Sequence, residues 1–191
     1  LVYEQKIGRH QTVAASVFRQ NILQVIDQVL DPTDSLLQFQ NIDNSGGFGA
    51  SAEWNGRFQY GFHAYGNYSY ASMANLESQQ WLTNSPRHML KAGLSVPMLK
   101  HFRFSPETVI QSGRRTVYDT ETSPFAYLSA QLLVVPHLRG RAAALNRVQL
   151  AFKVRNLLDA HYAYPGGFEH VQASIPQNGR NYNLKLQVSL F

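Results

Sequence analysis

Strict alternation of apolar and polar residues near the end of the chain constrains the fold more than any other feature of the sequence. The apolar positions of the two alternating segments are Val148, Leu150, Phe152 and Val154, followed by Tyr182, Leu184, Leu186, Val188 and Leu190. Successive side chains on a β-strand point to opposite faces, so each segment predicts a strand with one apolar and one polar face. The fold then depends on whether that apolar face contacts a protein core or lipid.

The same alternation recurs along the chain and predicts an all-β fold, an antiparallel meander of about nine long strands. The predicted strands are 1–7, 11–28, 36–54, 58–70, 88–96, 102–110, 127–134, 148–155 and 181–190. Residues 22–30 also fit a helical period, so a short helix there is an alternative. The glycines at 46–47 predict a kink or bulge within one strand, and Asn55–Gly56 predicts a tight hairpin turn.

The predicted connections fall into two classes that alternate along the chain. Short turns are expected at Gly8, Asn55, Pro97 and around Arg139, and longer loops near Asp31, Ser78, Thr116 and Gly167. Short turns at one rim and long loops at the other are typical of outer-membrane β-barrels. Aromatic residues also concentrate near predicted strand ends, as in the interfacial girdles of such barrels: Tyr68, Tyr70, Phe125, Tyr162, Tyr164 and Tyr182.

The charged residues help to choose between lipid and a protein core. Only 15% of the residues are charged, against about 25% in typical soluble domains. Several cations lie in mid-strand, in phase with small or amide residues: Lys91, Arg103, Lys153, Arg155 and Lys185. A cation facing lipid at the bilayer midplane costs about 2–4 kcal/mol, so in a membrane barrel these side chains must face a wet lumen. The alternative is a stand-alone barrel that binds a hydrophobic ligand. Such a barrel could be a small porin-like protein or a soluble lipocalin-like protein. In the soluble form, Leu150 and Leu186 would lie inside the barrel.

Other functional classes find little support in the sequence. The net charge is +5, but Lys and Arg are spread singly apart from Arg114–Arg115, so we expect no nucleic-acid partner. The absence of cysteine excludes disulfides and thiolate metal sites. No Ser, His and Asp set has a catalytic spacing, and the histidines lack the spacing of metal ligands. We therefore expect no enzymatic activity, no resident metal and no cofactor.

A short motif follows the first of the two closing strands. Residues 154–162 read VRNLLDAHY, and Pro165, the pair Gly179–Arg180 and the terminal Phe191 come after them. Further landmarks lie upstream, in the order Phe39–Gln40–Asn41, Gly49, Glu53, Tyr68–Ser69–Tyr70 and Ser85–Pro86–Arg87–His88. The first motif resembles the V-x-N-L-F-D-x-x-Y signature near the end of TonB-dependent outer-membrane receptors. The upstream landmarks resemble that family's in order and spacing, so the resemblance covers nearly all of the chain.

This resemblance implies a fold, a location and a set of partners. Residues 1–191 would form the C-terminal segment of a barrel of about 22 strands, without the N-terminal plug domain and the first strands. The barrel would lie in the outer membrane of a Gram-negative bacterium and contact its lipid, its own plug and strands, and the inner-membrane TonB complex. Its function would be energy-coupled uptake of a scarce nutrient, a small molecule or metal chelate such as a ferric siderophore or cobalamin.

Two loops carry the candidate ligand-binding residues. Arg114, Arg115 and Tyr118 share the first loop, where paired guanidinium groups beside a phenol would suit an anionic chelate. Tyr162 and His170 lie in the second loop and form a weaker candidate. The alternative interpretation of the first loop is a solvated connection without a ligand. Asn156 and Asp159, within the signature motif, are interpreted as structural residues that cap a strand end and shape the loop.

Overall fold

The structure, a computed structural model, describes residues 1–31, 33–34, 36–41, 44–136 and 138–189. The strands in chain order are β1 (Val2–Ile7), β2 (Gln11–Ile22), β3 (Ile26–Leu30), β4 (Leu37–Asn41), β5 (Ser45–Arg57), β6 (His63–Asn75), β7 (His88–Met98), β8 (Phe102–Gln111), β9 (Phe125–Val134), β10 (Val148–Arg155), β11 (Ala163–Pro165), β12 (Ser174–Pro176) and β13 (Asn181–Val188). Two 3-10 helices, Gln59–Gly61 and Gly140–Arg147, lie in connections. Across the described ranges, none of the helices has the length and apolar character needed to cross a bilayer.

Nine strands form one antiparallel sheet in the order β1-β2-β5-β6-β7-β8-β9-β10-β13. Two small hairpins, β3–β4 and β11–β12, are inserted between sheet strands. The predicted meander of about nine strands is therefore confirmed. The sheet is open, because β1 and β13 each pair with a single neighbour. The expected end of the last strand, Leu190 and Phe191, lies outside the described residues.

The region between β2 and β5 differs from the prediction in two ways. The alternative helix over 22–30 is wrong, because Ile26–Leu30 forms a strand that pairs with Leu37–Asn41. The single strand expected over 36–54 is also wrong, since β4 belongs to this separate hairpin and β5 begins at Ser45. The glycines cause no bulge. Gly47 pairs in register with Met73, and a Cβ there would lie 2.0 Å from the Ser72 carbonyl oxygen, so the glycine permits a close strand approach.

The predicted hairpin turn at Asn55–Gly56 is wrong as well. Both residues lie inside β5, and Gly56 pairs with Gln11 on one side and Ala64 on the other. A Cβ on Gly56 would lie 2.8 Å from ring atoms of Trp54 and Phe58, so this glycine makes room for two aromatic rings. The chain instead turns at 58–62, where Tyr60 and Gly61 have φ values of 59° and 75°.

Antiparallel pairing collects the connections at two rims. The connections 8–10, 58–62, 99–101 and 135–147 lie at one end, which we call the turn rim. The connections 23–44, 76–87, 112–124 and 156–180 lie at the other end, the loop rim. The predicted short turns at Gly8 and near Pro97 are confirmed, and the one expected at Asn55 lies at 58–62 instead. A short turn around Arg139 is wrong. That connection includes a 3-10 helix and is as long as the loop at 112–124.

The pairing register places the charged residues of the sheet on one side, which we call the polar face. They are Glu4, Lys6, Glu53, Arg57, Lys91, Arg103, Glu107, Lys153, Arg155 and Lys185. Cross-strand contacts join several of their side chains: the Tyr65 hydroxyl donates to Glu107 Oε2 over 2.7 Å, and Lys153 Nζ lies 3.9 Å from Glu107 Oε1. Among the described residues of the nine-stranded sheet, Arg19 is the one charged residue on the opposite side.

The opposite side is the apolar face, and its large side chains are exposed. Leu184 and Leu186 have exposed fractions of 68% and 64%, and Leu150 and Phe152 are also exposed. Within the described parts of the chain, the buried apolar residues are limited to Ala64 and Val109. The strands therefore enclose no apolar interior, and the soluble lipocalin-like alternative is wrong. An exposed apolar band opposite a polar face is the pattern of a membrane barrel wall.

Candidate functional site

The candidate site lies at the loop rim, where the loop 112–124 folds into a small hydrogen-bonded hairpin. The Thr116 amide donates to the Thr120 carbonyl over 2.8 Å, and the Thr122 amide donates to the Arg114 carbonyl over 2.9 Å. The hydroxyls of Thr116 and Thr120 are 2.8 Å apart, and Thr116 is buried. Because these hydrogen bonds lie within the loop itself, they hold its backbone in one conformation and fix the positions from which its side chains extend.

Arg115 joins this hairpin to the loop 76–87. Its Nη1 donates to the Trp81 carbonyl over 2.8 Å, and its Nη2 donates to Gln80 Oε1 over 2.7 Å. It also forms an ion pair with Asp119, four residues along its own loop. The guanidinium group thus has three protein partners, which fix the relative position of two loops.

Arg114 connects the same hairpin to two other loops. Its Nη1 donates to Asn84 Oδ1 over 2.7 Å, and its guanidinium carbon lies 4.3 Å from the centre of the Tyr164 ring. Burial lowers the pKa of Arg114 from its usual range, although the Tyr164 hydroxyl opposes this. A desolvated cation over an aromatic face is a strong contact. Arg114 therefore links the loop 112–124 to the loops 76–87 and 156–180.

Tyr162 belongs to an aromatic cluster at the start of β9. Its ring centre lies 4.6 Å from that of Phe125, 5.6 Å from that of Tyr127 and 5.7 Å from that of Tyr164. Burial raises the pKa of the Tyr162 hydroxyl, and the nearby Arg155 partly offsets this. These distances are typical of favourable aromatic pairs. The cluster anchors the start of the loop 156–180 to the sheet.

Tyr118 and His170 form another contact between loops. The Tyr118 hydroxyl donates to the His170 carbonyl over 2.7 Å, and His170 Nε2 lies 3.4 Å from Glu169 Oε1. The structure thus brings all five predicted residues to one rim, where they link neighbouring loops. Their role in ligand binding stays a prediction.

Asn156 and Asp159 shape the base of the same loop, in agreement with their structural interpretation. Asn156 is buried with a φ of 54°, and its side chain exchanges two hydrogen bonds of 2.8 Å with the Ala160 backbone. Asp159 Oδ1 accepts a hydrogen bond of 2.7 Å from the Arg180 amide. The signature motif therefore closes the loop 156–180 at its two ends.

A cavity of about 600 Å³ lies between four connections of the loop rim. Its lining residues are Gln28, Val29, Thr83, Asn84, Arg115, Val117, Pro165, Gly166, Gly167, Phe168 and Glu169. Of the predicted ligand residues, Arg115 lines this cavity and the other four do not. One local signal points to this lining from the sequence alone, the Pro165–Gly166–Gly167 run. No such signal marks Gln28 and Val29, which the β3–β4 hairpin contributes.

The charges around the cavity are balanced. Arg115 is paired with Asp119, and Glu169 supplies a carboxylate, so the lining has no excess of positive charge. Val29, Val117 and Phe168 add apolar surface, and Thr83 and Asn84 add neutral polar groups. No group of three or more His, Asp or Glu side chains within the described ranges is placed to hold a metal ion. The lining therefore combines apolar, neutral polar and oppositely charged groups, as small-molecule sites do.

Comparisons with known proteins agree with this architecture. The family described as "TonB dependent receptor-like, beta-barrel" matches residues 3–157. No match was found among curated proteins.

Solved structures of similar fold include three transport proteins. The copper transporter OprC is 16% identical with a TM-score of 0.76, and the match covers 98% of this chain and 30% of that one. The ferric citrate transporter FecA, in its unliganded form, is 15% identical with a TM-score of 0.75, covering 95% and 29%. The ferric yersiniabactin uptake receptor FyuA from Yersinia pestis is 16% identical with a TM-score of 0.73, covering 98% and 29%.

The solved structures and the family match support different conclusions. At such identities the solved structures show the fold alone, and this chain spans less than a third of the length of each. The family match covers most of this chain, because it runs from β1 through β10 into the signature motif. Members of that family are receptors and transporters of the Gram-negative outer membrane. On this match, the chain belongs to the TonB-dependent receptor β-barrel family.

Proposed function

We propose that residues 1–191 are the C-terminal part of the barrel wall of a receptor that takes up a scarce nutrient in an energy-dependent way. The observation that carries this proposal is the division of one sheet into an exposed apolar face and a charged polar face, with a cavity at the loop rim. In this arrangement the apolar face contacts outer-membrane lipid and the polar face lines a wet lumen. The remaining strands, the plug domain and the TonB complex would complete the transporter.

The ligand in this proposal is a small molecule or metal chelate, such as a ferric siderophore or cobalamin. The cavity volume of about 600 Å³ lies within the range for small-molecule sites. Its balanced charge and its apolar side chains support a ligand with a low net charge and exposed apolar groups. Arg115 would contact this ligand, while Arg114, Tyr118, Tyr162 and His170 would hold the loops in place around it.

Uptake measurements with the receptor that contains this chain test the proposal. Cells expressing it are given radiolabelled ferric siderophores and cobalamin, with and without a protonophore and with and without TonB. We expect one ligand to bind under all conditions and to accumulate only in energised cells that contain TonB. Accumulation that is unaffected by loss of TonB and of the proton gradient would contradict energy-coupled transport.

A matched pair of substitutions tests the cavity itself. Phe168→Ala removes an apolar side chain from the cavity wall, and we expect about fivefold to tenfold weaker binding of the transported ligand. Tyr60→Ala is the control, because Tyr60 is an exposed aromatic residue at the turn rim. Equal affinities for wild type and Phe168→Ala, or equal losses in both variants, would place the ligand elsewhere.

A further inference from the structure

Arg19 breaks the separation of charges between the two faces of the sheet. It shares the apolar face with Val17 and pairs in register with Phe48 of β5. Its side chain is exposed and makes no hydrogen bond, ion pair or ring contact with any residue that the structure describes. A cation without a protein partner on a lipid-facing surface requires a partner or a wet environment outside the protein.

The position of Arg19 along the barrel wall is defined by an aromatic cluster. The ring of Phe48 lies 5.9 Å from that of Tyr70, whose ring lies 5.0 Å from that of His88. The Tyr68 hydroxyl and His88 Nδ1 are 2.7 Å apart. Aromatic rings with polar ends collect at the headgroup level of a bilayer. Arg19, beside Phe48 and near the loop rim, therefore lies at the level of the lipid headgroups.

A recess of about 400 Å³ lies beside Arg19. It is lined by Arg19, Asn21, Gly46, Gly47, Phe48 and Leu76. A Cβ on Gly46 would lie 2.8 Å from Asn21 Oδ1 and 3.1 Å from Leu76 Cδ2, so the missing side chain keeps the recess open. The lining therefore combines the cation of Arg19 and the side-chain amide of Asn21 with the apolar side chains of Phe48 and Leu76.

From these observations we infer that Arg19 and this recess bind the phosphate-bearing headgroup of an outer-leaflet lipid. A guanidinium group matches a phosphate in charge and in its paired donors, and Asn21 offers a further amide donor. Phe48 and Leu76 would contact the apolar part of the same lipid. The inference rests on the proposed membrane placement of the apolar face. It concerns the side of the sheet opposite the polar face, so the site is separate from the cavity at the loop rim.

Reconstitution of the receptor that contains this chain into nanodiscs tests the inference. Nanodiscs of a neutral, phosphate-free galactolipid are doped with a phosphorylated glycolipid or with the same glycolipid after phosphatase treatment, and bound lipid is measured by native mass spectrometry. We expect Arg19→Gln to weaken binding of the phosphorylated form about fivefold and to leave the dephosphorylated form unchanged. Gly46→Leu, which fills the recess and keeps the charge, is expected to lower binding of the phosphorylated form as well.

Arg57→Gln is the matched control, because Arg57 lies on the polar face at the other end of the neighbouring strand. Equal lipid affinities for wild type and Arg19→Gln, or equal losses in Arg19→Gln and Arg57→Gln, would overturn the inference. Competition by inorganic phosphate as strong as that by the lipid would overturn it too, since the site would then recognise a free anion. Failure of the receptor to insert into any nanodisc would instead contradict the membrane placement on which the inference rests.

Discussion

The two faces of the same strands are stabilised in different ways. On the polar face, side chains bond across strands, as Asn67 does to Glu53 and Tyr65 to Glu107, with donor–acceptor distances of 2.8 Å and 2.7 Å. On the apolar face, side chains such as Leu184 and Leu186 extend outward with most of their surface exposed. A water-soluble sheet protein buries its apolar face in a core. Here the backbone ladders and the polar face define the sheet, and in the proposed receptor lipid would supply the environment that the apolar face requires.

The largest effect is expected where a charge is moved onto the apolar face. Leu186→Arg places a cation in the exposed apolar band, and we expect it to destabilise the membrane-inserted barrel by about 2–4 kcal/mol if it lies at the midplane. The adjacent Gln187→Arg places the same side chain on the polar face, which already carries Lys185, and should change stability little. Unfolding free energies measured in lipid vesicles, together with the amount assembled in the outer membrane, compare the two variants directly. Equal tolerance of both would refute the assignment of the faces.

A smaller effect is expected from removing one hydroxyl group on the polar face. Tyr65→Phe deletes the hydrogen bond to Glu107, and we expect a loss of about 0.5–1.5 kcal/mol in unfolding free energy. Glu107 is partly exposed and keeps Lys153 at 3.9 Å, so the low end of that range is expected.

Tyr182→Phe is the control for the apolar face, where the Tyr182 ring stacks on Phe152 and its hydroxyl has no protein partner among the described residues. Its unfolding free energy should match that of the wild type. If Tyr182→Phe loses more unfolding free energy than Tyr65→Phe, hydrogen bonds on the polar face do not account for the difference between the two faces.

Residue alternation predicted the sheet and its faces because side-chain direction in a strand depends only on position along it. The same rule places Arg19 on the face of Val13 and Val17, but its lack of a protein partner among the described residues is evident only in the structure. Glycines were less informative. The Asn55–Gly56 pair has the composition of a hairpin turn, but Gly56 serves the packing of Trp54 and Phe58, which sequence spacing does not reveal.

The loop-rim cavity could be predicted only in part. The Arg114–Arg115 pair pointed to the correct loop, but its bonds to Trp81 and Asn84 depend on how loops distant in sequence meet. The contribution of Gln28 follows from the β3–β4 hairpin, which was not expected. Loop positions of this kind depend on individual contacts between side chains, and those contacts leave no periodic signal in a sequence.

The smallest effect concerns the point where the polar face meets the loops, at Tyr162. Burial raises the pKa of its hydroxyl above the usual value of 10.0. Between pH 10 and the raised pKa, the unfolded chain loses this proton while the folded chain keeps it, so stability decreases as pH rises through that window. Below pH 10 the contribution is fully present.

Tyr162→Phe should therefore show a weaker loss of stability at alkaline pH, measured as unfolding free energy against pH, whereas Tyr60→Phe at the turn rim should follow the wild type. Identical alkaline profiles for wild type and Tyr162→Phe would mean that the aromatic cluster with Phe125 does not exclude water, and that the polar face remains wet up to the loops.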